Sequence, residues 1–281
     1  MSIFKEIMAE LGYANSDRFL FIGGPCVVEG YDVCMRTAEE LLSVCNGLGI
    51  PYVFKSSYRK ANRTSPHSFE TIGIDKALNI LRQIKEKLHC PILTDIHSVE
   101  EANMVADFVD IIQIPAFLCR QTDILVAAAK TGKIVNIKKG QFTSAFSILM
   151  SAEKVKLAGN TKVMITERGN SFGYTDLIVD FRNIRKITEK GIPAIIDATH
   201  SLQKPNTEAG YSRGEREYAE VIARCGIVVG ACGVFMEVHP DPSSALSDKE
   251  TQIPLNSIKS ILVNLNAIWE TVKNLSFVAL Y

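Results

Sequence analysis

Residues 91–138 read PILTDIHSVEEANMVADFVDIIQIPAFLCRQTDILVAAAKTGKIVNIK and contain three short apolar segments separated by two amphipathic ones. The apolar segments 91–95, 109–114 and 133–138 have the length and the β-branched content of buried strands. The segments between them, 98–108 and 122–131, have the apolar spacing of helices. Strands that alternate with helices predict a parallel sheet, because each helix carries the chain back to the edge where the next strand begins.

The same alternation continues over the rest of the chain and gives eight strand–helix units in total. The other predicted strands are 19–23, 51–56, 162–167, 193–197 and 227–238, and the other predicted helices are 33–48, 74–88, 145–158, 181–190, 213–225 and 256–274. Eight such units favour an α/β fold of the (β/α)8 TIM-barrel type. An open dinucleotide-binding sheet is disfavoured, since the residues after the first strand, Gly23-Gly24-Pro25-Cys26, lack the required glycine spacing. Residues 2–11 form a further predicted helix, so we divide the chain into an N-terminal extension, 1–17, and a single barrel, 18–281.

Composition and charge exclude several classes of protein. Apolar residues make up 47% of the 281 residues, which is typical of a globular protein and not of a disordered one. Thirty-one basic residues balance 31 acidic ones, which argues against binding nucleic acid through bulk charge. The apolar runs are too short to cross a membrane, and no signal peptide is evident. The seven cysteines lack Cys-x-x-Cys spacing, which predicts free thiols and a cytoplasmic location.

Polar side chains follow every predicted strand, at the end of a barrel where enzymes place their sites. Six of them are cations: Lys55, Lys60, Arg63, Arg120, Lys138 and Arg168. Glu167, Asp95 and Glu237 alone cannot neutralise several buried cations, so we expect a ligand with two or more anionic groups. Phosphate is the usual partner of arginine and lysine side chains.

A second set of strand-end residues has the chemistry of metal ligands. It consists of Cys26, His200, Glu237 and Asp248. A thiolate, an imidazole and two carboxylates can bind a divalent transition metal. These residues are far apart in the chain, so their spacing forms no motif, and each of them taken singly is more typical of ordinary packing. From the residues alone, metal binding therefore stays open.

An ordered series of segments resembles one enzyme family from about residue 21 to the C-terminus. The segments are GPC (24–26), FKSS (54–57), KANR (60–63), TDIH (94–97), IQIPAFLCRQTD (112–123), NIKKGQF (136–142), TERG (166–169), FGY (172–174), DATHS (197–201) and FMEVHP (235–240). The chain resembles the 3-deoxy-D-manno-octulosonate-8-phosphate synthases. The resemblance implies condensation of phosphoenolpyruvate with D-arabinose 5-phosphate by a cytoplasmic, homotetrameric TIM barrel on the route to lipopolysaccharide.

The resemblance also implies roles for individual residues. Phosphoenolpyruvate would be held by Lys60, Gln113, Ala116, Lys138 and Arg168 with Lys55 nearby, and the pentose phosphate by Asn62, Arg63 and Ser65, with Asp95 on sugar hydroxyls and Arg120 reaching in from a neighbouring subunit. Ser57 and Phe117 would be further substrate contacts. The catalytic residues would be Lys60, Lys138, His200 and Asp248.

The residue after Gly24-Pro25 divides the family that the chain resembles. Metal-dependent members have Cys at this position and metal-independent members have Asn, so Cys26 implies a metal held with His200, Glu237 and Asp248. The mixed donor set suits Zn, Fe(II) or Mn better than Mg or Ca.

The sequence leaves two alternative functions open. Arg59, Pro66 and the loops 143–151 and 204–213 depart from the family pattern. These departures leave open a related heptulosonate-7-phosphate synthase that uses erythrose 4-phosphate. Residues 60–63, KANR, favour the pentose, because the related enzymes have Pro in place of Ala-Asn. A non-catalytic sensor of phosphorylated ligands is the other alternative, since fold does not fix function.

Overall fold

A computed structural model describes residues 2–61, 68–204, 213–275 and 277. Eight parallel strands form the centre of the fold: β1 Leu20–Gly24, β2 Tyr52–Lys55, β3 Ile92–Asp95, β4 Ile111–Ile114, β5 Ile134–Lys138, β6 Val163–Glu167, β7 Ala194–Asp197 and β8 Gly233–His239. Each strand pairs with the next, and β8 closes the sheet by pairing with β1, in a register that sets Gly24 beside Glu237. The predicted (β/α)8 barrel is confirmed.

Eight helices connect the strands around the outside of the barrel: α1 Tyr31–Leu48, α2 Ile74–Leu88, α3 Val99–Ala106, α4 Thr122–Lys130, α5 Ala145–Leu157, α6 Arg182–Thr188, α7 Ala219–Val228 and α8 Ile258–Val272. Their apolar faces pack on the outward side chains of the strands in the larger of two buried clusters. The smaller cluster fills the barrel interior below the strand ends, with Leu20, Ile22 and Phe235 among its members. Successive residues of one strand serve both clusters, because strand side chains alternate between the two faces.

A short helix, Ile3–Glu10, precedes the barrel and confirms the helix predicted for residues 2–11. The Ser2 side chain accepts a hydrogen bond from the Lys5 backbone N–H and so caps the first turn. Ile7, Met8 and Leu11 join the interior cluster, so the helix covers the amino-terminal end of the barrel. This leaves the opposite end, where the strands terminate, as the accessible one.

Two predicted boundaries near the end of the chain are wrong. The predicted strand 227–238 begins at Gly233, because Ile227 and Val228 complete helix α7, which the chain leaves through Gly230 at a φ of 97°. A short apolar run does not reveal by periodicity whether it is strand or buried helix. The predicted helix 213–225 begins only at Ala219, after a short ribbon and a 3-10 turn.

Two further features concern the chain as a whole. All seven cysteines are free, as predicted. Among the helices that the structure describes, none combines the length and the apolar composition required to cross a bilayer.

Candidate active site

The carboxyl ends of the strands surround a polar basin that contains equal numbers of basic and acidic side chains among the described residues. The cations are Lys55, Lys60, Lys138 and Arg168, and the carboxylates are Asp95, Asp197, Glu237 and Asp248. All are buried except Lys60 and Asp248, which are half-buried. Within the described residues, which leave out Arg63, the cations do not outnumber the acids, because Asp197 pairs with Lys138.

Lys55, at the end of β2, and Glu237, in β8, form an ion pair across the end of β1. Lys55 Nζ donates to Glu237 Oε1 at 3.1 Å, to the Cys26 carbonyl oxygen at 3.2 Å and to Ser57 Oγ at 3.3 Å. Burial alone would raise the pKa of Glu237, but the charges on His200 and the nearby lysines hold that pKa well below its usual range. Glu237 is therefore ionised, and its Oε2 atom has no hydrogen-bond partner among the described residues.

A second group joins β5, β7 and the turn that follows β7. Lys138 Nζ donates to Asp197 Oδ2 at 2.7 Å and lies 3.1 Å from His200 Nδ1. His200 Nδ1 is 2.9 Å from the same carboxylate oxygen, while His200 Nε2 faces Glu237 Oε1 at 3.4 Å. Asp197 thus orients the ring, and His200 Nε2 faces the acidic side of the basin.

Arg168, at the end of β6, is connected to the loop after β8 through one glutamine. Its Nη2 atom donates to Gln203 Oε1, and Gln203 Nε2 donates to Asp248 Oδ2, both at 3.0 Å. Arg168 Nη1 is buried without a hydrogen-bond partner in the described part of the chain. Nη2 is thus held by the protein, whereas Nη1 can donate a hydrogen bond to a bound anion.

Cys26, Glu237 and Asp248 bring their donor atoms within 4.8 Å of one another, as a metal site requires. Cys26 Sγ lies 3.4 Å from Asp248 Oδ2 and 2.8 Å from Ser247 Oγ, and His200 Nε2 is 3.8 Å from Asp248 Oδ2. Burial, together with the charges on Asp248 and Glu237, raises the pKa of the Cys26 thiol to about 12. A bound cation would offset both effects and favour the thiolate. Cys26, Glu237 and Asp248 therefore have the spacing and chemistry of divalent-metal ligands, and His200 lies beside two of them.

Asp95 begins a chain of charged groups that leads from the basin to the surface. His97 Nε2 is 3.1 Å from Asp95 Oδ2, His97 Nδ1 is 3.1 Å from Glu101 Oε2, and Glu101 pairs with Arg59. The second oxygen of Asp95 is buried without a hydrogen-bond partner among the described residues. His97 therefore fixes one oxygen of Asp95 and leaves the other for a hydroxyl donor.

We expect the stability of the protein to fall as the pH rises from about 6.5 to about 9. Burial lowers the pKa of His97, but hydrogen bonds to Asp95 and Glu101 raise it more strongly, from 6.5 to about 9. The imidazolium thus stabilises the fold fully below pH 6.5, and this contribution disappears as His97 deprotonates, at a cost of at most about 3 kcal/mol.

Urea unfolding between pH 6 and 9.5 measures the slope of the free energy of unfolding against pH. The His97→Asn variant should lose most of it, whereas His89→Asn, a matched change at an exposed histidine, should retain it. Equal slopes in the two variants would show that His97 is not the titrating group.

The remaining predicted residues divide into three groups. Gln113 is buried in the basin, where its Nε2 atom donates to Asn136 Oδ1 at 2.7 Å. Ala116 and Phe117 lie in a 3-10 turn after β4, and the Phe117 and Arg120 side chains are exposed. The predicted pentose-phosphate ligands Asn62, Arg63 and Ser65 lie outside the described residues.

Sequence reasoning placed Asp197 at the end of a strand without giving it a role, and it missed Gln203 and Ser247. Gln203 and Ser247 lie in loops, where the sequence pattern does not show what a side chain contacts.

Comparisons with known proteins show which family the chain belongs to. The model of the DAHP synthetase I family matches residues 7–274. A 2-dehydro-3-deoxyphosphooctonate aldolase of Trichlorobacter lovleyi is 48% identical over 254 residues, which cover 90% of this chain and 93% of that protein. Proteins of the same name from Desulfosudis oleivorans and from a Cyanothece strain are 46% and 43% identical over 263 residues each, covering 93% and 94% of this chain and 94% and 96% of theirs. The chain therefore belongs to the DAHP synthetase I family.

Proposed function

We propose that this protein condenses phosphoenolpyruvate with D-arabinose 5-phosphate and water, giving 3-deoxy-D-manno-octulosonate 8-phosphate and phosphate on the route to lipopolysaccharide. The names of its relatives, which specify a phosphorylated eight-carbon acid, support this reaction. The structural observation that carries the proposal is the convergence of Lys55, Lys60, Lys138 and Arg168 on one basin. Cationic side chains of this kind suit a small substrate that has both a carboxylate and a phosphate.

The chain's own residues supply binding and electrostatic stabilisation. Carbon 3 of phosphoenolpyruvate attacks the aldehyde carbon of the open-chain sugar, water adds at carbon 2, and the resulting hemiketal phosphate breaks down with loss of phosphate. Lys138 and Arg168 end neighbouring strands, so together they can bind one anionic group. Fixed cations stabilise the charge that develops there without reorganising. The free oxygen of Asp95 would accept a hydrogen bond from a sugar hydroxyl.

We further propose that Cys26, His200, Glu237 and Asp248 hold a divalent transition metal, with Zn, Fe(II) and Mn as candidates. When bound, such an ion would supply a Lewis acid beside the substrates. It would also give the charge-balanced basin a net positive charge, which favours two phosphorylated substrates. Asp197 supports this arrangement by orienting the His200 ring.

The proposed partners are small phosphorylated substrates and further copies of the same chain, in a cytoplasmic homotetramer. Large apolar side chains are exposed near the basin, with Phe117, Phe142 and Phe146 exposed to 54%, 56% and 72%. Apolar surface of this kind is typical of an interface. Arg120, which is exposed within one subunit, would reach a neighbour's pentose-phosphate site.

Phosphate release from phosphoenolpyruvate tests the proposed reaction. With arabinose 5-phosphate, we expect release of one phosphate per phosphoenolpyruvate consumed, together with an eight-carbon product whose mass equals the two substrates plus water minus phosphoric acid. Without the sugar, release should stop. Binding of phosphoenolpyruvate with no turnover on any phosphorylated aldose would instead support the sensor.

A further inference from the structure

Lys139 is a buried charge that the proposed reaction does not use. It directly follows Lys138, the last residue of β5, and its side chain extends to the opposite side, as successive side chains of an extended segment do. Lys138 faces the basin, whereas Lys139 is completely buried among two loops beside it. A buried ammonium is costly unless carboxylates and carbonyls surround it, so its position requires an explanation.

Five oxygen atoms surround the Lys139 ammonium. Its Nζ atom lies 3.3 Å from Glu167 Oε1 and 3.0 Å from Asn170 Oδ1. The carbonyl oxygens of Gly140, Thr143 and Gly169 are each 3.3 Å away. Because an ammonium has only three protons, these acceptors share them. Burial lowers the pKa of Lys139, and the charge on Glu167 opposes that effect.

These acceptors belong to the loops that follow β5 and β6. Glu167 and Gly169 flank Arg168, and both contact the ammonium, Glu167 through its carboxylate and Gly169 through its carbonyl oxygen. Glu167 Oε1 also accepts from the Gly169 backbone N–H at 2.7 Å, and Asn170 Nδ2 donates to the Thr143 carbonyl at 3.0 Å. The ammonium thus joins the two loops, which a backbone hydrogen bond from the Ser171 N–H to the Gln141 carbonyl also connects at 3.0 Å.

The Gly140 turn extends this support to a third loop. A Cβ atom on Gly140 would lie 2.9 Å from the Ala116 carbonyl oxygen and 2.9 Å from the Phe142 ring, so the turn packs directly against the loop after β4. Ala116 and Arg168 are two of the residues assigned to phosphoenolpyruvate. Lys139 therefore stands behind the loops that carry both.

We propose that Lys139 is a positioning residue for phosphoenolpyruvate, which holds Arg168 and the Gly140 turn in the geometry that the substrate requires. This inference rests on the proposed function. It predicts weaker binding of phosphoenolpyruvate when the ammonium is removed. Binding of the aldose should change little, because the ammonium contacts neither Asp95 nor β2.

A double variant separates positioning from stability. Lys139→Met alone leaves the Glu167 carboxylate buried without its cation and should unfold more easily. Lys139→Met combined with Glu167→Gln removes both charges, so we expect its unfolding midpoint to recover towards that of the wild type. We expect the KM and the Kd for phosphoenolpyruvate to stay raised about ten-fold or more, since the three loop carbonyls still lack their donor. The KM for arabinose 5-phosphate should stay within about two-fold.

Two further variants complete the test. Asn170→Ala removes one acceptor without leaving a buried charge and should raise the KM for phosphoenolpyruvate by a smaller factor. Lys162→Met removes an ion-paired lysine at the opposite end of the barrel and should leave both KM values unchanged. An unchanged KM for phosphoenolpyruvate in the folded double variant, or an equal rise for both substrates, would overturn the inference.

Calorimetric titration with phosphoenolpyruvate requires neither aldose nor turnover. A wild-type protein that binds phosphoenolpyruvate but releases no phosphate would refute the proposed function, while its comparison with the double variant would still test Lys139.

Discussion

Removal of the divalent metal is expected to reduce phosphate release about 100-fold or more, with recovery when Mn or a similar divalent ion is added. A Lewis acid contributes several kcal/mol of charge stabilisation, and each 1.36 kcal/mol corresponds to a factor of ten in rate. Elemental analysis before and after chelation should give about one transition-metal ion per chain and then none. Because a bound ion stabilises only the folded state, chelation should also lower the thermal unfolding midpoint.

Cys26→Ala should reproduce the loss without a chelator, because the thiolate is the softest of the four ligands. Cys45→Ala is the matched control, since Cys45 is an equally buried free cysteine that packs only in the outer apolar cluster. We expect full metal content in the control and little in Cys26→Ala. A metal-free wild-type protein that turns over at the full rate would contradict the metal assignment.

Replacing Lys138 with methionine is expected to lower kcat/KM for phosphoenolpyruvate about 100-fold. The change removes a fixed cation from the basin and breaks the ion pair with Asp197, which keeps its contact with His200. Turnover should fall together with affinity, because the same cation acts on bound substrate and on the developing charge. Steady-state phosphate release at varied phosphoenolpyruvate measures both quantities.

Lys162→Met again serves as the control, because Lys162 pairs with Glu10 far from the strand ends. Circular dichroism should show that both variants are folded. Wild-type kinetics in folded Lys138→Met would remove Lys138 from the site.

The barrel was predictable because its periodic signals are strong and local. Apolar runs such as 111–114 and 134–138 alternate with amphipathic helices, and this pattern alone indicated eight units. The errors occurred where that signal is ambiguous. Ile227 and Val228 end an outer helix, although their β-branched side chains favour a strand. The hairpin Asn170–Phe172 and Asp176–Ile178 is too short to give a periodic signal.

The site was only partly predictable, because strand ends can be located from sequence but side-chain partners cannot. Position alone brought Lys138, Arg168 and Glu237 to one basin. The ion pairs could not be read from the sequence: Asp197 pairs with Lys138, and Glu167 pairs with Lys139. Lys138 and Lys139 are the same residue type and differ only in the side to which they point. The sequence does not show this difference, because β5 ends between them.

The ratio of kcat/KM for arabinose 5-phosphate to that for erythrose 4-phosphate, each at saturating phosphoenolpyruvate and with metal present, tests the proposed reaction most directly. Residues 60–63 and the relatives' names lead us to expect a ratio well above one, with the eight-carbon acid phosphate as the product. A ratio below one, with a seven-carbon product, would contradict the proposed reaction and establish the heptulosonate alternative.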